Sequence, residues 1–427
     1  FLCALFLWVT ELVPIYATSI LIIVLLLLMI SDTAFSSLKT SLQTENALNY
    51  REIMASFASP VIFLFLGGFY LAAAAAKYRL DINLARVILK PFGTRPKYIM
   101  FGLMFTTAVF SMFMSNTATA AMMLTILVPI LKFFPDDDPG KIGFVLAIPF
   151  SANLGGMGTP IGTPPNAIAL KYLTGLDTVT FAQWMTFGIP FVLCNLLFCW
   201  YLIWKFYPSK MDAVNLNIKG SFLKGWRAIT IYITFGITIL LWLTDFIHAV
   251  NSYTIAMIPI VVFSMTNIVS AKDMKSLNWD ILWLLAGGIA LGNAMEETGL
   301  ARHLIASIPF NSLPPFLIIG IATFITFTLA NFMSRTATAN LMLPIIAAMG
   351  TNIPSIAGYG SKLLILTATL AASLAMALPI STPPNAMAHA TGIIRTEHMA
   401  KPALLIGLAG LGFLALLMVI LKIVNFV

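Results

Sequence analysis

The string Phe-Met-Ser-Asn-Thr-Ala-Thr-Ala at residues 113–120 returns almost unchanged as Phe-Met-Ser-Arg-Thr-Ala-Thr-Ala at residues 332–339. A second string, Thr163-Pro164-Pro165-Asn166-Ala167, returns as Thr382-Pro383-Pro384-Asn385-Ala386. Ser115 precedes Thr163, and Ser334 precedes Thr382, by the same 48 positions. Self-similarity at a fixed spacing marks a duplicated structural unit, so the fold has to house two copies of one polar cluster. It does so in apolar surroundings: 59% of residues are hydrophobic and 9% charged, against roughly 25% charge in a soluble domain. Runs at residues 15–30, 57–76, 189–204 and 402–424 are apolar enough for helices crossing a hydrocarbon layer about 30 Å thick. The expected class is therefore an all-α polytopic membrane protein.

The net charge of +8 does not point to nucleic acid. The basic residues fall in short segments beside apolar runs: Lys77 to Lys97, Lys205 to Arg227, Lys272 with Lys275, and Arg395 with Lys401. By the positive-inside bias these segments are cytoplasmic, whereas residues 31–52, of mixed sign, suit the outer face. Cys3, Cys194 and Cys199 sit in apolar runs without metal-ligand or redox spacing and are packing residues. The first residue, Phe1, lies inside an apolar run, so the chain is expected to start part way through a longer protein.

Between the basic loops the chain divides into an N-terminal repeat at 1–206, a cytoplasmic linker at 207–227 and a C-terminal repeat at 228–427. Residues 98–134 are apolar except at Ser111 and Ser115-Asn116-Thr117, which leaves two arms too short to span and predicts a re-entrant helical hairpin. Residues 313–349 repeat it around Ser334-Arg335-Thr336. Non-helical backbone at membrane depth survives only where protein or a water-filled cavity surrounds it. Residues 142–173 and 363–390 are each expected to be a broken transmembrane helix, unwound before Thr163-Pro164-Pro165 and before Thr382-Pro383-Pro384. Counting crossings from the basic loops, the two hairpins enter from opposite faces, and the repeats have inverted topology.

A hairpin that turns back leaves carbonyls unpaired at the end of one arm and N–H groups at the start of the next. Ser115 with Thr117, Ser334 with Thr336, Thr163 and Thr382 stand where N-caps belong, and proline is well tolerated in a first turn. Four such N-termini meeting at the midplane would hold a small anion of two or more charges, with a cation beside it at the carbonyl ends. Few basic residues lie in the spans, so a co-bound cation offsets the cost of burying that anion.

Ser-Asn-Thr on a re-entrant hairpin, Gly-Thr-Pro-Pro-Asn-Ala in a broken helix, and the return of both resemble the divalent anion/sodium symporter family, the dicarboxylate, citrate and sulfate carriers. The likeness runs over nearly the whole chain from Thr10-Glu11-Leu12-Val13-Pro14. It implies a substrate site at Ser115, Asn116, Thr117, Thr163, Ser334, Thr336 and Thr382, and Pro164, Arg335 and Pro383, at the same tips and loops, are expected to join it. It also implies a first Na+ site at Ser111, Ser115, Asn116 and Gly162. The implied activity is sodium-coupled symport of a di- or tricarboxylate such as succinate, malate, fumarate or citrate. The carrier would be a homodimer in a bacterial inner membrane, working by an elevator-type motion, with Na+ as coupling ion and no cofactor. Sulfate transport and sodium-independent anion exchange are the alternatives.

The departure is Arg335, where the second motif would carry asparagine. A second Na+ site would use that amide, a hydroxyl where this chain has Ala330, and backbone near Met333 and Ser381, so two ligands are missing. Either the guanidinium takes the ion's place beside the anion, or it turns to a lipid or a protein carbonyl. A channel is disfavoured because discontinuous helices in inverted repeats are the mark of alternating access. An intramembrane hydrolase using Ser115 or Ser334 lacks a general base in reach, since His389 alone lies near a motif. Gly67-Gly68 and Gly287-Gly288 are read as packing positions and Asp136 to Asp138 as a solvated loop, with one carboxylate free to cap a helix. Asp245, Glu296 and Glu297 are candidates for ion pairs.

Overall fold

The computed structural model describes residues 1–427 except 36–46, 215–220, 301–302, 304, 306–312, 354–360, 425 and 427. Parts of two segments read above from their charge, 36–46 within 31–52 and 215–220 within Lys205 to Arg227, lie outside the described residues. The rest is helical, and six helices are long and apolar enough to cross a membrane.

Helices α1 (Leu2–Thr10) and α2 (Ile15–Met29) break at Glu11–Pro14 as expected, with Glu11 in the left-handed region. They lead to α3 (Pro60–Lys77), the amphipathic α4 (Leu80–Leu89) and the first hairpin, α5 (Pro96–Phe113) with α6 (Asn116–Leu131). The broken helix follows as α7 (Gly140–Gly155) and α8 (Pro164–Tyr172), then α9 (Phe181–Phe206). The second set is α10 (Trp226–Leu243), α11 (Met257–Met265), α12 (Trp279–Glu297), the hairpin α13 (Pro315–Phe332) and α14 (Arg335–Asn352), the broken pair α15 (Ser361–Leu374) and α16 (Pro383–Ala390), and α17 (Thr396–Ile423).

Each hairpin packs on the first arm of its own broken helix, α5 and α6 on α7, α13 and α14 on α15. The second arms cross over: α8 packs on α14, and α16 packs on α6 and α7. This exchange brings motifs 219 positions apart to one place. Along the side, α12 lies against α2, where a Cβ on Gly287 would sit 2.6 Å from the Ser19 Cα. On another face of α12, Asn340 Nδ2 of α14 donates to the Leu284 carbonyl (3.2 Å) and Lys171 Nζ of α8 to that of Ile289 (2.8 Å). The glycine pairs are thus packing positions.

Several expectations need correction. The hairpin arms are not short: α5, α13 and α14 have 18 residues and α6 has 16, and 18 residues rise about 27 Å. Helix α9 starts at Phe181, ahead of the apolar run read at 189–204, because Thr180 and Gln183 close a capping box. Helix α10, near the start of the C-terminal repeat, ends at Leu243, and Asp245–His248 is a separate turn. Asp138 is buried, not solvated; it caps α7 through the Gly140 N–H (2.7 Å) and binds the Ser209 hydroxyl (2.9 Å). Among the described residues, Asp245, Glu296 and Glu297 form no ion pair.

Candidate functional site

Both hairpins turn in two residues and in the same way. Met114 ends α5 and Ser115 caps α6, its Oγ accepting the Ala118 N–H at 3.2 Å. Met333 ends α13 and Ser334 caps α14, its Oγ accepting the Ala337 N–H at 3.2 Å. The serines adopt extended backbone, φ −62° and −66°, as N-caps do. Asparagine or arginine then begins the helix, at the end where the macrodipole favours negative charge.

The broken helices share a closure that the motif spelling hides. Asn166 Nδ2 donates to the carbonyls of Gly156 (3.1 Å) and Thr159 (2.8 Å), and Asn385 Nδ2 to those of Met376 (2.8 Å) and Leu378 (3.1 Å). Each asparagine of Pro-Pro-Asn therefore satisfies backbone that unwinding has freed, which buried carbonyls require. Thr163 and Thr382 stand at the N-cap positions of the arms that follow, and Thr382 makes the side-chain cap bond. Proline alone does not make the break, since Pro149, Pro190 and Pro344 sit inside helices.

The four N-termini meet at a cavity of about 460 Å³. Ser115, Asn116 and Thr117 line it from one hairpin, Ser334, Arg335 and Thr336 from the other, and Gly162, Thr163, Pro164, Ser381 and Pro383 from the broken helices. Phe65, Phe69, Ile281 and Leu284 supply apolar wall, and Asn278 and Asp280 at the start of α12 add polar groups. The Thr163 hydroxyl is buried and has no partner among the described residues, a costly state unless something else accepts or donates there. Thr382 is buried at the cap of α16, its Oγ1 accepting from Asn153 Nδ2 (3.1 Å) and the Asn385 N–H (3.3 Å).

Arg335 is 6% exposed. Its Nη1 donates to the Ser373 carbonyl at 3.0 Å and its Nη2 to Asn153 Oδ1 at 2.8 Å. The guanidinium therefore turns inward onto a protein carbonyl and an amide, not to lipid. No carboxylate pairs with it among the described residues. A buried cation held only by neutral acceptors is costly unless an anion comes to it.

Ser111, Asn116 and Gly162, three of the residues expected of a first cation site, lie together. One end of the Asn116 amide lies 2.6 Å from Ser111 Oγ, 2.9 Å from the Gly162 carbonyl and 3.2 Å from the Ala152 carbonyl, and its other end lies 3.2 Å from Arg335 Nη2. Ser111 also donates to the Ala152 carbonyl at 2.7 Å. Ser115 contributes at the cavity wall. Oxygen donors of this kind suit a hard cation. In the second half, Ala330 brings no polar side chain, Met333 is buried in the turn, and Ser381 Oγ donates to the Asn331 carbonyl at 2.9 Å.

The sequence motifs did not disclose Asn153, Asn331 or the carbonyls of Ala152 and Ser373. For Asn153 a signal existed, an amide alone in the apolar stretch of α7. It has no partner in the duplication, however, because its counterpart position holds Ala372.

The chain is similar to known transporters in sequence and in fold. A family model described as citrate transporter matches residues 5–360. The sodium-dependent dicarboxylate transporter SdcS of Staphylococcus saprophyticus is 32% identical over 92% of this chain and 79% of its own length. That of Staphylococcus aureus is 31% identical over the same shares. In fold, the YdaH transporter of Alcanivorax borkumensis superposes with a TM-score of 0.58 at 14% identity, covering 96% of this chain and 99% of that one. MtrF of Neisseria gonorrhoeae does so with a TM-score of 0.58 at 13% identity, covering 96% of each. The chain belongs to the divalent anion/sodium symporter family, which includes dicarboxylate and citrate carriers, and is a multi-pass integral membrane transporter rather than an enzyme.

Proposed function

We propose that the chain is a secondary active transporter that carries a di- or tricarboxylate together with Na+. The observation that carries this is the meeting, at a single cavity, of four helix N-termini and one guanidinium held only by neutral acceptors among the described residues. Hydroxyls at Ser115, Thr163 and Ser334, amides at the helix starts and Arg335 all favour a multiply charged anion. The oxygen cluster at Ser111, Asn116 and Gly162 takes the coupling ion, in keeping with relatives named sodium-dependent dicarboxylate transporters. A cavity of about 460 Å³ accepts anions of the size of succinate or citrate, a range usual for small-molecule sites.

The hairpins and broken helices form the moving unit, which passes the site across the membrane against α2, α3, α12 and their neighbours, the elevator arrangement expected of two inverted repeats. A homodimer interface belongs to the static part. Uptake of labelled succinate, citrate and sulfate into proteoliposomes tests the assignment. A Na+ gradient is expected to drive carboxylate accumulation, with far less uptake in K+ alone; uptake that follows only internal counter-anion would replace symport with exchange.

Arg335 favours a lower ion count than two intact sites would give. The guanidinium stands in for the second ion beside the anion, a permanent charge that is never released. Arg335→Asn is then expected to raise the number of Na+ ions needed per anion, read as a steeper dependence of uptake on Na+ concentration. An unchanged dependence would show that Arg335 has no part in charge balance.

A further inference from the structure

We infer that the side-chain amide of Asn116 is a two-position switch joining the first cation site to Arg335, so that ion occupancy decides what the guanidinium is free to bind. The assignment rests on the carrier reading above and deepens it. A half-turn about the last side-chain bond exchanges the two ends of the amide. With Oδ1 facing inward, that oxygen lies within 3.2 Å of Ser111 Oγ and of the carbonyls of Gly162 and Ala152. The Ser111 hydroxyl has one proton for both Asn116 Oδ1 (2.6 Å) and the Ala152 carbonyl (2.7 Å), so the remaining oxygens face one another without a donor unless a cation sits among them. The amide nitrogen then faces Arg335 Nη2, donor against donor.

With the amide reversed, Nδ2 donates to Ser111 Oγ at 2.6 Å and to the Gly162 carbonyl at 2.9 Å, and Oδ1 accepts from Arg335 Nη2 at 3.2 Å. This seat satisfies every group without an ion, and it removes an oxygen ligand and ties up the guanidinium. The seats are mutually exclusive. A cation therefore frees one N–H of Arg335 for an anion, and an anion that engages Arg335 releases Asn116 to the cation, the reciprocity that linkage demands. Ser373 and Asn153 hold the rest of the guanidinium in either case. Room for the turn exists because residue 156 is glycine: a Cβ there would lie 2.6 Å from the Asn116 amide oxygen and 2.8 Å from the Gly162 carbonyl. The second half cannot hold such a device, since Ser111 and Asn116 correspond to Ala330 and Arg335.

The test is equilibrium binding to the purified full chain. Labelled succinate is titrated without Na+ and at saturating Na+, choline replacing it, and Na+ is titrated without anion by thermal stabilisation. Wild type is expected to bind succinate at least about tenfold tighter with Na+, within the usual range of coupling of about 5–150-fold. Arg335→Met is expected to cut that ratio at least about fivefold and to half-saturate at lower Na+. Arg335→Lys separates the switch from simple repulsion, because one ammonium keeps the charge but cannot hold Ser373, Asn153 and Asn116 together. The switch requires it to behave like Arg335→Met; if it keeps the wild-type ratio and Na+ requirement, the assignment is overturned. Asn116→Asp, which offers oxygen to both sides at once, is expected to lower the ratio while tightening Na+, and an undiminished ratio there counts equally against the switch. Wild-type protein that binds none of succinate, citrate or sulfate at any Na+ concentration overturns the carrier reading and the switch with it, whereas the variant outcomes bear on the switch alone.

Discussion

Asn153 joins three of the motif residues through one side chain. Its Oδ1 accepts from Arg335, and its Nδ2 donates to Thr382 Oγ1 and to Asn385 Oδ1 at 3.0 Å. Removing it leaves a buried guanidinium N–H without its acceptor, and hydrogen bonds to charged groups contribute about 1.5–3 kcal/mol. Asn153→Ala is expected to weaken anion binding about tenfold or more, and Asn153→Leu similarly, in a titration of the purified protein. If both variants bind as wild type does, Arg335 is held by Ser373 alone. The contrast with Asn116 shows what could be read from residues alone. Asn116 lies inside a string that occurs twice, so repetition marked it. Asn153 belongs to one half only, and standing alone in an apolar run does not distinguish it from an amide that merely bonds its own helix, as Asn195 Nδ2 bonds the Phe191 carbonyl at 2.8 Å. Arg335 was visible as an anomaly, yet its partners were not, because Ser373 contributes a carbonyl and carbonyls carry no sequence signature.

At the scale of elements, both hairpins and both broken helices were legible, because polar groups in apolar runs and Pro-Pro pairs have few other uses within a membrane. Lengths were less legible. Ser111 and Thr117 read as shortening the arms, but both lie inside helices of 18 and 16 residues; a hydroxyl that bonds a neighbouring carbonyl, as Ser111 bonds that of Ala152, does not end a helix. What positions the tip is close packing of α5 on α7. A Cβ on Gly155 would lie 2.4 Å from the Ala108 carbonyl oxygen and 2.5 Å from its Cα, and backbone cannot step aside as a side chain can. Overpacking costs typically about 1–3 kcal/mol. Gly155→Ala is therefore expected to lower the melting temperature by several degrees and to displace the Ser115 tip. The second effect is read as a loss of anion binding that substrate concentration does not restore. Gly288→Ala meets only the end of the Asn340 side chain, 1.9 Å away, and the smaller loss of stability expected there provides the internal comparison.

For the whole molecule, the crossing of α8 and α16 between halves explains why the cavity exists, but the halves are also joined at the face that carries the basic loops. Lys77, at the end of α3, donates to Asp273 at 2.5 Å and to the Ile268 carbonyl at 2.9 Å, linking positions 196 apart. Asp273 in turn forms a capping box with Ser270, just before α12. The bond from Lys77, aided by the Ser270 hydroxyl, holds the Asp273 carboxyl down at about 2, below the ordinary value of about 3.9. A carboxyl whose folded value is depressed stabilises the fold above its unfolded value and loses that contribution as pH falls toward the folded one. The Asp273 contribution is thus complete above about pH 4 and fades between about 4 and 2. The pair is partly exposed, 39% and 29% at the two side chains, so the ion pair itself contributes only about 0.2–1 kcal/mol, to which the bonds from the Ser270 N–H and hydroxyl to the carboxylate add about 1 kcal/mol. Asp273→Asn should melt below wild type at pH 7, and the two curves should converge as pH is lowered from about 4 toward 2. Lys77→Met should show a smaller deficit at pH 7, because it spares the Ser270 cap. Equal deficits in the two variants would mean that the cap contributes nothing and that the link between halves accounts for the whole effect.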